Sequence, residues 1–320
     1  MTEKESLILR IKELTGMTVK PYRFKIVTDT TDWMRINRGD VMRLENRDFV
    51  VRGNMYEPRF GIDEQPKYWV FSAVDLETGS EKIIKTVFHE EFYAHIGILR
   101  IRCYRSPEKE ADVLDFVSGD ERFMQGYTAE DYNGNIIRII DYIKGKSFFK
   151  YIPEIEMSHE QYYFEMLPAQ LRKLFDAFTA IKYLHDNGLC HGDIRNDHII
   201  IESGTGQYRW IDFDLKQDVS DFDMWSFGNI LNYCIGKGIK TFGQVMKENE
   251  FSDDIKNSLM NNDGAAFFNY RIINLKKLYP YISDSLNDLL LHFAIKPIAF
   301  FRSVDEFVNY FENVINNDFK

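Results

Sequence analysis

The chain has 320 residues, of which 44% are hydrophobic and 15% aromatic, so it can bury a core and does not have a disordered composition. Its formal net charge of −10 argues against a nucleic-acid partner and against an anionic membrane surface. Signal-peptide and transmembrane patterns are absent from the sequence, and Cys103, Cys190 and Cys234 form no CxxC pair. We therefore expect a cytoplasmic protein without a structural zinc site.

The first fifty residues predict a small α+β segment. Apolar residues recur with helical spacing between residues 6 and 14, and Gly16 is a stop signal for that helix. Short strands are predicted at 22–27 and 48–51. We interpret residues 1–50 as an extension that packs against the region after it.

A hairpin is predicted next. Residues 68–75 and 82–88 are rich in β-branched and aromatic side chains, and a glycine-containing turn separates them. Side chains alternate along a strand, so Lys82 and Lys85 are expected on opposite faces. Residues 63–67, before the hairpin, are predicted as a turn.

The region after the hairpin contains a connection, a helix and a second hairpin. Residues 89–104 are interpreted as a long connection. Ser106 and Pro107 have the residue types of a helix N-cap and first turn. The pair Asn133-Gly134 predicts a hairpin turn that leads into a buried strand at 136–140.

The second half of the chain begins with a long helix. An apolar stripe runs over residues 171–184, and Gly188 follows as a C-cap signal. The apolar run 199–201 and the stretch 208–211 predict another hairpin, with a glycine-rich turn between them.

This last hairpin would bring Asp193 and Asp212 to the same end. One carboxylate can orient and deprotonate a hydroxyl nucleophile, while the other can hold Mg²⁺ against the phosphates of ATP. Arg195 can offer a fixed positive charge to the phosphoryl group in transit. The pattern therefore predicts a site of phosphoryl transfer.

The same residues resemble a known family. The segment His191-Gly192-Asp193, followed by Ile211-Asp212-Phe213-Asp214, resembles the catalytic loop and metal-binding motif of the protein kinase-like superfamily. Its HGD form is similar to that of aminoglycoside and sugar kinases and of small atypical protein kinases. The stretch 223–228, DMWSFG, resembles the helix whose aspartate anchors the catalytic loop of protein kinases.

The resemblance covers residues 50–320, approximately, and implies a fold. We predict an α+β, two-lobed protein kinase-like fold with a small β-rich N-lobe and a mostly helical C-lobe. The predicted divisions are the α+β extension at 1–50, the N-lobe at 51–143 and the C-lobe at 144–320. Residues 251–320 are expected to be mostly helical, with apolar positions between 286 and 314 forming the core faces of closing helices.

The resemblance also implies the roles of individual residues. Asp193 is implied to be the catalytic base, with Arg195 beside it, and Asp212 a metal ligand. His198 stands where the family usually has a metal-binding asparagine, so it becomes a second candidate ligand. Mg²⁺ prefers oxygen ligands, whereas imidazole suits softer ions such as Mn²⁺, so the expected metal is Mg²⁺ with Mn²⁺ as the alternative.

Nucleotide binding is implied for a second group of residues. Lys85 stands in the place of the lysine that neutralises the α- and β-phosphates of ATP, and Glu110 in the place of its acidic partner. Glu108 is the competing choice for that partner. The other implied ATP-binding residues precede the lysine strand or lie in the hinge: Val70, Asp141 and Ile143.

The sequence departs from the protein-kinase pattern in several places. Gly53 and Gly61 are isolated, so a glycine-rich phosphate loop is missing. Gly192 replaces the arginine that usually meets a phosphorylated activation loop, and the stretch 215–222 is short. We therefore expect no control by phosphorylation of that stretch.

These patterns predict an ATP-dependent phosphotransferase that acts on a hydroxyl. The favoured activity is a Ser/Thr protein kinase, and the alternative is a small-molecule kinase of the aminoglycoside or sugar type. A nucleotide-binding pseudokinase scaffold is the rival from a different class, because of His198 and the missing glycine loop. The partner is expected to be a protein or small-molecule hydroxyl substrate, with no nucleic acid and no membrane.

Overall fold

The protein is described from a computed structural model, which covers residues 2–58, 64–96, 99–218, 222–297 and 299–319. Some positions named in the sequence analysis lie outside the described residues. They are the isolated Gly61, Asp63 of the predicted turn, and residues 219–221 of the short stretch 215–222. The strands are β1 Ile26–Val27, β2 Val41–Leu44, β3 Arg47–Pro58, β4 Glu64–Asp75, β5 Glu81–Lys85, β6 Glu91–Ile96, β7 Leu99–Arg105, β8 Gly126–Glu130, β9 Ile136–Asp141, β10 Gly145–Ser147, β11 Ile199–Glu202, β12 Tyr208–Trp210 and β13 Leu215–Gln217.

The helices follow the expected order, and a π-helical turn at Tyr162–Met166 joins α4 to α5. In the described part of the chain, none of them has both the length and the apolar character needed to cross a bilayer. The helices are α1 Glu3–Thr15, α2 Pro107–Phe116, α3 Phe148–Tyr151, α4 His159–Gln161, α5 Leu167–Asp186, α6 Phe222–Ile235, α7 Phe242–Val245, α8 Asp253–Ser258, α9 Asp284–Leu291 and α10 Val304–Asp318.

The chain forms two compact units of mixed α+β structure. Unit 1 contains the large sheet, in the order β1-β2-β3-β4-β5-β9-β8, and unit 2 is mostly helical with two small sheets. Unit 1 comprises Met1–Glu90, Arg105–Asp120 and Met124–Ile143, and unit 2 comprises Glu91–Tyr104, Glu121–Phe123 and Lys144–Lys320. The first fifty residues therefore share a unit with the strands that follow, and the predicted three-part division stays a prediction.

Both faces of the large sheet are buried in unit 1. Val41 and Val50 pack on one face with Ile11 of α1, whereas their neighbours Met42 and Phe49 pack on the other face. This is the alternation expected of a strand with two buried faces. Helix α1 therefore covers one side of the sheet, as the spacing of its apolar residues predicts.

Three predictions about strands need correction. Residues 64–67 are not a turn but the start of β4, which pairs with β3 with two shifts in register. The strand predicted at 22–27 shortens to Ile26–Val27, which pairs in parallel with β2. The predicted connection 89–104 contains the β6–β7 hairpin, and β7 also pairs with β13. The β3–β4 and β6–β7 pairings join consecutive strands, whereas the β7–β13 pairing joins distant segments that no local pattern connects.

The core of unit 2 is built on helices α5, α6 and α10. Phe178 of α5 lies 4.5 Å from the ring of Phe227 in α6, and Phe227 stacks on Phe307 of α10 at 5.0 Å. The predicted β11–β12 hairpin is confirmed, and the indole N–H of Trp210 donates to the Ala177 carbonyl at 2.8 Å. The hairpin is thereby fixed to α5.

Gly228 of α6 allows the side chain of Phe293 to pack closely against the helix. A Cβ atom added at Gly228 would lie 2.7 Å from Cβ of Phe293 and closer still to its ring. We expect Gly228→Ala to lower the free energy of unfolding by about 1–3 kcal/mol, because the crowding outweighs the better helix propensity of alanine.

Urea unfolding followed by circular dichroism measures this loss. Gly243→Ala in α7 is the matched control, since a Cβ there meets nothing within 4 Å. Equal free energies of unfolding for the two variants would contradict the expected crowding between Phe293 and a side chain at position 228.

Candidate active site

The loop that contains Asp193 is anchored to helix α6 by a buried carboxylate. Asp223 of α6 is 1% exposed. Its oxygens accept the backbone N–H groups of His191 and Gly192, each at 2.7 Å, and the Nε2–H of His185 at 2.9 Å. The anchoring aspartate predicted from DMWSFG is therefore present in the structure.

The backbone conformation at Gly192 explains why the HGD segment has a glycine at this position. Gly192 has φ = 85°, a region that L-residues with a side chain rarely adopt. Its N–H binds Asp223, and its carbonyl accepts a hydrogen bond from the side-chain amide of Gln217. An arginine at this position would strain the loop.

One imidazole lies against both predicted catalytic carboxylates. The Nδ1–H of His198 donates to the Asp193 carbonyl at 2.7 Å and is 3.7 Å from Oδ2 of Asp193. Its Nε2 is 3.6 Å from Oδ2 of Asp212. That distance is too long for a hydrogen bond. The structure thus brings Asp193, His198 and Asp212 together, as the predicted hairpin requires.

Asp212 occupies an unusual backbone conformation. It has φ = 69°, which aspartate tolerates better than most residues, and it is 6% exposed. The next residue, Phe213, is fully buried, with its ring 4.5 Å from the ring of His191. Packing of Phe213 therefore fixes the direction of the Asp212 side chain, and the local strain is of the kind found at functional sites.

The donor set of this site suits a metal shared with a substrate. Among the residues that the structure describes, no group of three or more His, Cys, Asp or Glu side chains could hold a metal by itself. Mg²⁺ is commonly held by one or two carboxylates, with waters and phosphates completing its shell. Asp212 fits that requirement, and Nε2 of His198 adds a nitrogen that suits Mn²⁺.

Arg195 has a partner that sequence reasoning missed. Its guanidinium binds the Asp197 carboxylate with two hydrogen bonds, of 3.0 and 2.6 Å. Burial by itself would raise the pKa of Asp197, but the interactions with His198 and Arg195 outweigh it, so the pKa is lowered. Part of the positive charge assigned to phosphoryl transfer is therefore already neutralised within the loop.

A buried ion network lies in unit 1. Lys85 Nζ is 2.5 Å from Glu110 Oε1, and Arg138 Nε is 3.2 Å from Glu110 Oε2. Glu110 is fully buried and Arg138 is 1% exposed. The predicted Lys85–Glu110 pair is therefore present. Val70, which lies opposite Lys85 in the β4–β5 register, is also buried.

Arg138 was missed as a member of this network. Its guanidinium also donates to the carbonyls of Ile136 at 2.8 Å and Thr86 at 3.1 Å. A charge within the apolar strand 136–141 was the signal that could have identified it. Because Arg138 shares Glu110, the carboxylate does not neutralise Lys85 alone.

Glu108, the competing partner for the lysine, has a different role. Its carboxylate accepts from Ser106 Oγ at 3.0 Å at the start of α2. Backbone hydrogen bonding at the helix start and the bond from Ser106 lower the pKa of Glu108. The geometry therefore favours Glu110 as the partner of Lys85.

The predicted hinge residues lie at the end of the last segment of unit 1. The N–H of Asp141 donates to the Gln125 carbonyl at 2.8 Å, and its side chain pairs with Lys82. Ile143 is half-buried. The N–H and carboxylate of Asp141 are thus engaged by the protein, and adenine contacts at both residues stay predictions.

Comparison of the sequence with models of known protein families finds no match. The functional interpretation therefore depends on the geometry of the residues themselves.

The buried network can be tested by removing one charge. Glu110→Gln leaves Lys85 and Arg138 buried without their carboxylate, so we expect the free energy of unfolding to fall by about 3 kcal/mol. Chemical denaturation measures this change.

The control is Glu154→Gln. Glu154 pairs with Lys146 at 2.5 Å, but both side chains are more than half exposed, so the expected loss is below about 1 kcal/mol. Similar losses in both variants would contradict a special role for the buried carboxylate.

Proposed function

We propose that the chain is an ATP-dependent phosphotransferase with a protein kinase-like fold, acting on a hydroxyl. The observation that carries the proposal is the pair of carboxylates, Asp193 and Asp212, on the two sides of the His198 ring. Asp193 belongs to the loop anchored by Asp223, and Asp212 follows strand β12. In this proposal, unit 1 corresponds to the small lobe and unit 2 to the large lobe.

Asp193 is assigned the role of base. Its side chain is 17% exposed, so a hydroxyl can reach it, and the anchored loop holds its backbone in place. A carboxylate at this position orients the hydroxyl and accepts its proton as the phosphoryl group transfers. The acceptor oxygen forms a bond to the γ-phosphorus, the bond from that phosphorus to the β,γ-bridging oxygen breaks, and ADP is the leaving group.

The remaining residues are assigned to nucleotide and metal binding. Asp212 and His198 would hold a divalent ion, which would supply charge neutralisation at the β- and γ-phosphates. Lys85 would bind the α- and β-phosphates. The Glu110 carboxylate that binds Lys85 is shared with Arg138.

A Ser/Thr protein is our favoured acceptor, and a small molecule is the alternative. The scaffold alternative predicts nucleotide binding without turnover. We place the enzyme in the cytoplasm, because Cys103, Cys190 and Cys234 form no disulfide in the structure, which favours a reducing compartment.

The first test replaces the proposed base. We expect Asp193→Asn to lower the rate of label transfer from γ-labelled ATP at least about 100-fold, since a positioned base commonly contributes that much. The acceptors are the protein itself, a protein mixture and a small-molecule pool, each with Mg²⁺ and with Mn²⁺.

Asp254→Asn, at an exposed carboxylate in α8, is the control and should keep wild-type activity. ATP that stabilises the wild type against heat without label transfer under either metal would favour the scaffold. Label only in small molecules would make the protein a metabolite kinase.

A second test concerns the metal. If Nε2 of His198 is a ligand, Mn²⁺ should support more activity than Mg²⁺ in the wild type, because imidazole suits the softer ion. His198→Asn replaces the nitrogen with an oxygen ligand and should lower the ratio of Mn²⁺ to Mg²⁺ activity. A ratio unchanged by the substitution would remove His198 from the metal site.

A further inference from the structure

A cleft of about 330 Å³ in unit 2 contains the Asp193 side chain. Its wall also includes Asn196 of the same loop, Phe222 of α6, and Phe267 and Arg271 from the segment after α8. The volume lies within the range of small binding clefts in proteins. Since Asp193 is the proposed base, this cleft is where an acceptor hydroxyl would enter.

Arg271 has no carboxylate partner among the residues that the structure describes. Its guanidinium carbon stacks 3.9 Å from the ring centroid of Phe268, and its buried Nε has no hydrogen-bond partner within the same described residues. No ion pair involves Arg271 in the part of the chain that the structure describes. Arg195, the other arginine of the cleft, is bound to Asp197. Arg271 therefore keeps its charge for a ligand.

A second wall residue has an unused polar atom. Oδ1 of Asn196 is buried, and no described residue forms a hydrogen bond with it. A carbonyl-type oxygen of this kind can accept a bond from a ligand N–H or O–H. Buried polar atoms are usually bonded in native proteins. The cleft thus offers one acceptor and one cationic donor, and both are unused.

The aromatic wall favours a peptide as the ligand. Phe222 and Phe267 contact each other at 5.5 Å, and both line the cleft together with Phe268. Such rings suit the apolar side chains and backbone of an extended peptide, whose N–H groups can reach Asn196. A small hydroxy acid would leave most of this apolar wall uncovered.

Charge selects the type of peptide. The whole chain has a net charge of −10, so an acidic segment would be repelled unless a local cation compensates. Building on the proposed function, we propose that the acceptor is a Ser- or Thr-containing peptide segment with an acidic side chain near the hydroxyl, and that Arg271 binds this acid. A guanidinium stacked on an aromatic ring is well suited to a carboxylate.

The test uses fluorescein-labelled peptides with a central serine flanked by glutamate, glutamine or lysine and otherwise identical. Fluorescence anisotropy with the full chain measures binding without any phosphoryl transfer. We expect the glutamate peptide to bind about tenfold more tightly than the glutamine peptide, as one charge-assisted contact allows. Arg271→Gln should remove this difference, and Arg271→Glu should favour the lysine peptide.

Arg100→Gln is the matched control. Arg100 also stacks on an aromatic ring, 3.7 Å from Tyr93, but it does not line the cleft. This variant should keep the wild-type preference. Equal binding of the glutamate and glutamine peptides by the wild type, or a preference that survives Arg271→Gln, would overturn the proposal.

Label transfer from γ-labelled ATP to the same peptides separates the two proposals. Equally fast transfer to all three peptides would support the proposed function and contradict the preference for an acidic side chain. Selective binding without transfer to serine would keep recognition by Arg271 and refute the phosphotransferase. A preference shown only by small hydroxy acids in competition would overturn the choice of a peptide.

Discussion

The buried carboxylate of Asp223 is the constraint on which the candidate site of unit 2 depends. A carboxylate at 1% exposure would be unfavourable if its oxygens were unpaired. Two backbone N–H groups and the imidazole of His185 satisfy it, and they can do so only when the loop at 191–193 is folded against α6. The helix itself is positioned by aromatic packing of Phe227. The helical core therefore determines where Asp193 and its neighbours lie.

Three arginines illustrate how partners determine the use of a charge. Arg138 is buried and compensates Glu110, so its contribution is to stability and to the charge state around Lys85. Arg195 is bound to Asp197 and has part of its charge neutralised. Arg271 stacks on Phe268 and keeps its charge for an incoming group. The residue type is the same in all three cases, and the neighbouring groups determine whether the guanidinium charge is compensated.

Much of the secondary structure could be predicted, because the relevant signals are local. The helix after Ser106 begins as its cap and proline indicate, and α5 ends at the predicted Asn187-Gly188. The β8–β9 turn lies at Asn133-Gly134, and the β11–β12 hairpin lies where two apolar runs flank a glycine turn. The strands at 64–67 and 91–105 were not predicted correctly, although both pair with neighbouring segments. In β7 the alternation of Leu99, Ile101 and Cys103 with arginines was a local strand signal that was missed.

The sequence alone determined the identity and order of the candidate site residues: the HGD segment, Asp212 and Asp223 could be selected from their residue types and spacing. It also determined that Lys82 and Lys85 lie on opposite faces of β5, because the period of a strand is fixed. Tertiary structure alone decided the partners. Arg138 joins Glu110, Asp197 binds Arg195, and Arg271 comes to line the cleft that contains Asp193. Such contacts depend on distances between segments far apart in the chain, and no local pattern encodes those distances.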